Sequence, residues 1–554
     1  SMLNAQVFFS AKKLRCPAWM GGVMVLWSAL LLAVLSGCQS QAPTNSEPGM
    51  EEVMPDNPVR KSEADSREYL YLQLPNRMGV LLISDPQAEK AAVSMNVAVG
   101  FKDDPADREG LAHFLEHMLF LGTAKYPEAG AYQKFIAANG GQHNAYTSFV
   151  NTNYFFDINA SELEPAIDQF AQFFISPLFT EAYVEREKNA VDSEFRAKLK
   201  DENRRGMDAA RVALNPKHPL SQFSVGSLDT LADRENSRVR DELLTFYQKY
   251  YSANRMDLVV LGNQSIEQLR LMVEQRFSAV EDRGSEPEAL TEPIFTDGTL
   301  PARLLVTPEQ NIRRLSLSFP VPDTYSAWRS KPLQLIGEVL GHEGEGSLLQ
   351  FLKSQGWAEG LSAGLAALYQ GGALFNIEVS LTEAGFAQRD EVVEAVFQAI
   401  NRLRSEGISR ERFDEQRKIS GLQFRYAERT ENVRYVMSLA ARMRHYPPSM
   451  ALFAPYLYDS YEPELYRDYL DRLTPSNLML TVTGPGLETP DRTELYQTSY
   501  ALAPVGEQQV QRWREAGVNP AIVLPAPNPF IPEDFERHAS ELSLIHISEP
   551  TRRN

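Results

Sequence analysis

Hydrophobic and polar residues alternate along three successive segments at the start of the regular part of the chain. The segments are YLYLQL from residue 69, VLLIS from residue 80 and AVSMNVAVGF from residue 92. Alternation of this kind predicts strands with one face toward a core. GQHNAYTSF and YFFDIN continue the pattern around a short turn at 150–153, and MDLVVLG from residue 256 predicts a further strand.

Apolar residues between these strands recur at helical spacing instead. Helices are predicted in GLAHFLEHMLFLGT (110–123), after Pro127, at 161–175, at 181–205 and after the strand at 256. Strands and helices therefore mix without regular alternation. This favours an α+β fold, a mostly antiparallel sheet covered by helices, over a doubly wound fold.

The pattern repeats itself later in the chain. VSMNVAVGF from residue 93 resembles LSLSFPVPD from residue 315, an offset of 222, and NRMDLVVLG from residue 254 resembles NLMLTVTG from residue 477, an offset of 223. Two pairs at nearly one offset predict two homologous domains. A shift of 222 moves His113 and His117 onto Leu335 and Val339, so the second copy lacks the two histidines.

Length and composition suggest where the domains end. A chain of 554 residues with 43% hydrophobic residues is too long for one core. The charged segment VEDRGSEPEALTEP at 280–293 reads as a connection, which predicts domains at 67–290 and 291–525. Residues 526–554 would hold the start of a linker and a tail.

The N-terminal part resembles a targeting segment. Three basic residues precede an apolar run over 18–35 that ends in the letters LSGC at Cys38. This predicts a bacterial lipoprotein signal over 1–38, lipidation of Cys38 and a membrane-anchored protein in the periplasm, with an uncleaved anchor as the alternative. Residues 39–66, rich in Pro, Ser and acids, are predicted to be a flexible tether. Beyond Cys38 the sequence has no cysteine, so neither disulfides nor cysteine metal ligands are expected.

Charge excludes one class of partner. The formal net charge of −18 argues against nucleic acid, because binding to phosphates needs a surplus of Lys and Arg. Beyond solubility and a weak bias toward cationic substrates, the charge says little.

The helix predicted at 110–123 carries a metal-binding pattern. His113 and His117 stand four residues apart and share one helix face, so both imidazoles can bind one ion. Glu116 lies beside them, in reach of a water molecule on that ion. The alternative is a helix that contains two hydrogen-bonded histidines without a metal. His143, on a predicted strand, is expected to line a cleft.

A catalytic zinc needs a third protein ligand and one open position. The helix VEREKNAVDSEFRAKL offers Glu185, Glu187 and Glu194, and Glu187 and Glu194 share a face because they are seven residues apart. Spacing alone does not choose among these three carboxylates. A solvated acidic helix face explains the same letters.

Four segments in this order resemble the pitrilysin and insulin-degrading enzyme family of zinc metallopeptidases, the inverzincins. They are GLAHFLEHMLFLGT, GGQHNAYTSF, EREKNAVDSEF and LNPKHPLSQF. The resemblance implies a zinc metalloendopeptidase that acts on peptides and small unfolded polypeptides, with one Zn²⁺ per chain and Glu116 as general base. It implies Glu194 as the third zinc ligand and Glu187 as the residue of the catalytic machinery that supports the site.

The same resemblance implies two peptide-binding regions. Asn144 and Ala145 match the edge strand whose backbone pairs with an extended substrate. GHEGEGSLLQFLKSQGWAEGLSAG from residue 341 resembles the part of the second domain that anchors substrate N-termini, and a structural glycine loop is the alternative explanation. This segment makes a set of residues candidates for peptide binding: His342, Leu361, Ser362 and Ala363.

Long members of that family have two such halves, and this chain resembles the first. LPAPNPFIPEDFE from residue 524 resembles the start of the linker between halves, whereas SLIHISEPTRRN at 543–554 has no family counterpart and reads as a foreign tail. The missing C-terminal half, in cis or as a partner chain, is expected to supply an arginine and a tyrosine that hold the substrate and the developing oxyanion. The competing functions are a non-catalytic peptide-binding or partner subunit and a fragment that is inactive for lack of the second half.

Overall fold

The computed structural model describes residues 59–532, which form two mixed sheets flanked by helices. The predicted signal with Cys38, residues 39–58 of the predicted tether and the tail at 543–554 lie outside the described residues. Within 59–532, no helix combines the length and the apolar character that crossing a membrane requires.

The first sheet contains six strands in the order β1–β2–β6–β3–β5–β4. β2 and β6 run parallel, and all other neighbours are antiparallel. Every residue of β2 and β6 is buried, since helices cover both faces of the sheet there. The strands are β1 (Glu68–Gln73), β2 (Gly79–Ser84), β3 (Lys90–Val97), β4 (Gln142–Thr147), β5 (Thr152–Asn159) and β6 (Met256–Gly262).

The helix predicted at 181–205 is two helices. The chain leaves α4 at Ala197 and begins α5 at Glu202, where the Asp201 side chain accepts hydrogen bonds from the N–H groups of Asn203 and Arg204. This N-cap ends the uninterrupted pattern and starts a new helix axis. The helices of this part are α1 (Leu111–Leu119), α2 (Ala131–Ala138), α3 (Leu163–Ile175), α4 (Glu181–Ala197), α5 (Glu202–Arg211), α6 (Val239–Tyr250) and α7 (Ile266–Phe277).

The second sheet contains seven strands in the order β12–β13–β7–β11–β8–β10–β9. Its strands are β7 (Ala302–Thr307), β8 (Arg314–Val321), β9 (Ala358–Tyr369), β10 (Gly372–Leu381), β11 (Met479–Thr483), β12 (Asp491–Arg492) and β13 (Ser499–Pro504). Its helices are α8 (Pro332–Leu340), α9 (Leu348–Ser354), α10 (Glu383–Ala387), α11 (Arg389–Glu406), α12 (Arg410–Arg425), α13 (Asn432–Arg442), α14 (Pro463–Leu470) and α15 (Glu507–Arg514).

The two sheets repeat one topology. β11 lies parallel to β7 and antiparallel to β8, as β6 lies parallel to β2 and antiparallel to β3. The strand on the other side of the parallel pair comes from a different part of the chain in each sheet. β1, which pairs with β2, precedes it, whereas β13, which pairs with β7, follows all the other strands of its sheet. This architecture confirms the predicted α+β class. The domain limits 67–290 and 291–525 stay a prediction.

Each sheet is covered on one face by a helix of the other copy. Val436, Leu439 and Ala440 of α13 form one apolar cluster with residues of β2 and β6, and Ala209 of α5 forms another with Leu304 of β7. Burying a side chain of leucine size contributes about 1.5–3 kcal/mol, so a few such contacts hold the exchanged helices firmly. Helix α5 directly follows α4, which ties the second copy to the predicted metal site.

Candidate active site

Helix α1 is held at its first turn by a buried carboxylate. Asp104 accepts the N–H groups of Gly110 (2.8 Å) and Ala112 (2.7 Å), which would otherwise lack partners at a helix start. Gly110 has φ 87° and lies so close to Gly226 that a Cβ atom would come within 2.3 Å of its Cα. Only glycine satisfies both the positive φ and this approach.

Both histidines of α1 use Nδ1 for a protein contact. His113 Nδ1 lies 2.7 Å from the Val225 carbonyl, to which it donates. His117 Nδ1 lies 3.4 Å from Glu187 Oε2, and Arg186 Nε donates to the other oxygen of Glu187 at 2.9 Å. Such partners orient an imidazole and leave Nε2 available as a metal ligand. Glu187 thus lies where it can orient His117, and the supporting role that the family resemblance implies for it stays a prediction.

The two Nε2 atoms point to the same carboxylate. Glu194, in the last turn of α4, places Oε2 3.5 Å from His113 Nε2 and Oε1 3.6 Å from His117 Nε2. The three ligand atoms lie within 4.8 Å of one another. Two imidazole nitrogens and a carboxylate oxygen suit zinc, and Glu194 has 56% of its side chain exposed, which leaves the fourth side open. The donor set therefore fits a catalytic zinc ion.

Electrostatics also favour a positive charge at this point. Burial opposes protonation of His117, but hydrogen bonds to Glu187 and Glu194 outweigh it and raise the pKa of His117 to about 10. The hydrogen bond with His117 is likewise the main cause that lowers the pKa of Glu194. A proton or a metal cation satisfies the same carboxylates, so the two compete for the site.

Glu116 lies on the same helix but does not belong to the metal-binding trio. Its side chain is buried, and Thr147 Oγ1 donates a hydrogen bond to its Oε2 at 2.5 Å. Burial raises the pKa of the Glu116 carboxyl, which the charge of His113 and the hydrogen bond from Thr147 oppose. A carboxylate with a raised pKa beside a metal site suits a general base.

Thr147 is a functional neighbour that the sequence analysis missed. It ends β4, the strand that carries Asn144 and Ala145. Side chains of a strand alternate between faces, so Ala145 and Thr147 share the face toward α1. The two-residue period of a strand, counted from Ala145, would therefore have identified Thr147 as a neighbour of the site.

β4 is an edge of the first sheet. It pairs with β5, and among the strands within 59–532 none lies on its other side. Asn144 is exposed, and its Oδ1 accepts the N–H of Ala145. His143 is half-buried against the rings of Phe120 (5.5 Å) and Tyr132 (5.6 Å), so its position agrees with a cleft-lining residue rather than a ligand.

The second predicted peptide-binding region lies on the second sheet. His342 follows α8, and Leu361, Ser362 and Ala363 belong to β9, which pairs only with β10 among the described strands. The loop and the strand are neighbours, because a Cβ on Gly341 would come within 3.3 Å of the Ala363 nitrogen. These residues are separate from the trio His113, His117 and Glu194.

Three family models match successive parts of the chain. Insulinase (peptidase family M16) matches residues 79–216, the peptidase M16 inactive domain matches 238–420, and the middle or third domain of peptidase M16 matches 424–552. Together they span both sheets and the site, and the third match extends to residue 552, so the expectation that 543–554 has no family counterpart is wrong for most of that segment.

Individual relatives agree with these models. The chain is 37% identical over 480 residues to the A-factor-processing enzyme of Saccharomyces cerevisiae, covering 86% of this chain and 47% of the relative. It is 38% identical over 485 residues to insulin-degrading enzyme of Homo sapiens, and the match covers 87% of this chain and 48% of that enzyme. The crystal structure of pitrilysin matches with a TM-score of 0.84 at 33% identity, over 87% of this chain and 51% of pitrilysin. The chain therefore spans about half the length of the curated relatives that it matches.

Proposed function

Since this chain belongs to the insulinase family of peptidases, peptidase family M16, we propose that it is a zinc-dependent metalloendopeptidase that hydrolyses peptides and small unfolded polypeptides. One observation carries the proposal, the convergence of His113, His117 and Glu194 on one point beside the buried Glu116. Three protein ligands with an open fourth side are typical of catalytic rather than structural zinc.

His113, His117 and Glu194 would hold one Zn²⁺. Bound there, the ion supplies Lewis-acid chemistry, because it lowers the pKa of a water molecule and polarises the carbonyl of the peptide bond. The Val225 carbonyl and Glu187 keep the two imidazoles oriented toward this position.

Glu116 would act as the proton carrier. Its carboxylate accepts a proton as water attacks the peptide carbonyl and returns that proton to the amine that leaves. Thr147 binds Oε2 of Glu116, so the other oxygen, Oε1, is the one free to face the water. Burial, which raises the pKa of Glu116, brings its basicity closer to neutral pH.

The edge strand β4 would bind the substrate. A peptide in extended form can add to this edge through its backbone, next to Asn144 and Ala145. An extended peptide is required for this mode, which explains a preference for unfolded substrates. His342 and the strand Leu361 to Ala363 would anchor the peptide N-terminus at the edge of the second sheet.

We also propose two associations. The LSGC segment supports a lipid anchor at Cys38 on the periplasmic side of a membrane. The relatives, about twice as long as the matched region, support a C-terminal half, in cis or as a partner chain, that completes the substrate chamber.

Peptide cleavage with and without chelator tests the function. We expect the 554-residue chain to cleave an unstructured peptide, to lose this activity when zinc is chelated and to regain it when zinc is added back. Cleavage that resists the chelator would contradict the zinc assignment. Binding of a fluorescent peptide without any cleavage would favour the second function, a non-catalytic peptide-binding subunit, which the histidine-free helix α8 exemplifies within this chain.

A further inference from the structure

The hydroxyl of Thr147 joins the edge strand β4 to the buried carboxylate of α1. Thr147 is the last residue of β4, and its Oγ1 donates to Glu116 Oε2 at 2.5 Å. The strand proposed to bind the peptide and the helix proposed to carry the proton therefore meet at one side chain. A buried carboxylate needs a hydrogen-bond partner in any case, so a purely structural contact is the alternative to a functional one.

The backbone of the same residue faces the free edge of the sheet. In the turn between β4 and β5, the backbone N–H of Ser148 donates to the Asn151 carbonyl at 2.8 Å. Because successive positions of an antiparallel pair alternate, the backbone groups of Thr147 and Ala145 point away from β5. The Ala145 N–H agrees with this direction, since it contacts the side-chain oxygen of Asn144 at 2.9 Å. Thr147 therefore presents its backbone to an added peptide strand and its hydroxyl to the carboxylate on α1.

Both ends of this hydrogen bond belong to elements that are held in place. The end of β4 is fixed from a second side, because Phe101, which precedes α1, donates its N–H to the Ser148 carbonyl at 3.0 Å. Threonine is branched at Cβ, which restricts its χ1 angle. The first turn of α1 is held by the carboxylate of Asp104. The hydroxyl can therefore restrain the direction of the Glu116 side chain.

The second copy differs at the corresponding strand end. The repeat offset of 222 places Thr147 on Tyr369, the last residue of β9. The ring of Tyr369 packs against His218 at 4.9 Å. The carboxylate of Glu338 on α8 has its contact with Tyr458, which precedes α14 and belongs to neither strand of that hairpin. The link from the edge strand to the carboxylate is thus found in the copy that carries the two histidines.

We propose that Thr147 is a positioning residue that fixes Glu116 relative to the backbone of a peptide bound on β4. The inference rests on the proposed peptidase function and adds a role outside the metal ligands. Because one residue contacts the base and borders the peptide, a single restrained side chain sets the distance between them. A displacement of about 1 Å can lower a rate by about 100-fold, so losing this restraint has a measurable effect on kcat.

Removal of the hydroxyl tests the inference. Thr147→Val keeps the shape of the side chain and leaves the backbone of β4 in place. We expect kcat to fall roughly 10- to 100-fold, while KM for an unstructured peptide and the zinc content change by less than about twofold. Thr147→Ser restores the hydroxyl and should recover most of kcat. An equal loss of kcat in the Ser and Val variants would overturn the inference.

Thr152→Val is the matched control, because Thr152 is paired with Thr147 in the register of β4 and β5. Its hydroxyl is buried and donates to the Val99 carbonyl at 2.8 Å. We expect this variant to unfold at a lower urea concentration and to keep the kcat of the wild-type chain. If kcat falls as far as in Thr147→Val, loss of any hydroxyl from this hairpin disturbs the site, and the positioning role is refuted.

A double variant tests whether Thr147 acts through Glu116. In Glu116→Gln chain, Thr147→Val should cause no further loss of kcat, because the carboxylate that the hydroxyl positions is already gone. Losses that add in the double variant contradict the inference, since Thr147 would then act on the reaction by another route.

The outcomes separate this inference from the proposed function. If the wild-type and Thr147→Val chains cleave a peptide with equal kcat, the inference fails and the peptidase function stands. If the wild-type chain cleaves no peptide, the peptidase function fails, and crystal structures of the two chains decide the inference instead. A Glu116 carboxylate in the same position in both chains argues against it, whereas a carboxylate that turns away from β4 in the variant supports it.

Discussion

Helices α1 and α8 occupy the same place in two sheets of the same topology, yet only α1 carries the two histidines of the candidate metal site. At the offset of the internal repeat, His113 and His117 correspond to Leu335 and Val339, which are 0% and 8% exposed. Apolar side chains fill the space that the imidazoles occupy in the first copy. The second copy therefore adopts the same topology with apolar residues at the positions of the two histidines.

Glu116 has a counterpart that is retained. Glu338 stands at the same offset on α8, where desolvation raises its pKa to about 7. The Tyr458 hydroxyl lies 3.4 Å from the carboxylate of Glu338. In the first copy, the Thr147 hydroxyl makes the comparable contact with the carboxylate of Glu116. A carboxyl with a raised pKa is thus common to both copies, and the two histidines that flank Glu116 are absent around Glu338.

The carboxylates of α4 differ in the same way. Helix α12 follows α11 in the second copy as α4 follows α3 in the first, and an offset of 229 places buried Val184 and Val191 on buried Phe413 and Ser420. This alignment pairs Glu187 and Glu194 with Gln416 and Gln423. In this alignment the second copy offers neither the two histidines nor the two carboxylates, while the matched helix positions stay buried.

The largest expected effect separates Glu116 from Glu338. Glu116→Gln should retain zinc and lower kcat/KM by roughly 10²- to 10⁴-fold, because the proton acceptor is lost. Glu338→Gln should leave kcat/KM unchanged. Zinc content per chain and peptide hydrolysis measure both, and undiminished turnover of zinc-loaded Glu116→Gln chain would contradict the general-base role.

The next effect concerns Glu194, which Glu194→Gln converts into the amide of the second copy. We expect zinc affinity at pH 7 to fall by more than about 100-fold, beyond the loss that follows removal of an outer partner. Competition with a coloured chelator measures the affinity. Full zinc occupancy in this variant would transfer the ligand role to Glu187.

A smaller effect is expected where the two copies meet. His218 is fully buried between Phe149 of the β4–β5 turn and Tyr369 of the corresponding β9–β10 turn. Burial lowers the pKa of His218 from 6.5 to about 4. The neutral form is favoured in the folded chain, so the stabilisation is complete above pH 6.5 and is lost as the pH falls toward 4.

Unfolding in urea measures this dependence. For the zinc-free chain, His218 should contribute up to about 3 kcal/mol of the decrease in unfolding free energy between pH 6.5 and 4, from about 1.4 kcal/mol per pKa unit. His218→Gln should reduce the pH dependence by that amount. An identical pH dependence in the variant and the wild-type chain would show that the interface tolerates the charged imidazole.

The smallest effect is expected for Glu187. Glu187→Gln should weaken zinc binding by about 10- to 100-fold, because His117 loses an orienting partner but the three ligands remain. Activity should return at saturating zinc. Peptide hydrolysis measured as a function of zinc concentration determines this change in zinc affinity. Activity that does not return at saturating zinc would instead indicate that Glu187 takes part directly in the reaction.

Local periodicity in the sequence determines which features of the fold and of the candidate site could be predicted. The strands, the helix with His113 and His117 and the internal repeat all follow from patterns that the letters of the chain display directly. The choice of Glu194 did not follow from spacing, since Glu187 and Glu194 share one face of α4 and only the packing of α4 against α1 decides which oxygen meets the imidazoles. The break at Asp201 was missed because one capping side chain outweighs a continuous helical pattern.

The exchange of α5 and α13 between the copies makes the second copy indispensable to the copy that carries the candidate metal site. Glu194 lies in the last turn before α5, and α5 is buried against the second sheet, so unfolding of that sheet would release the carboxylate end of the site. A cut near residue 290 would separate each sheet from its cover and would not yield two independent folds. The second copy, which lacks the two histidines, is therefore required because its helix α13 covers one face of the first sheet.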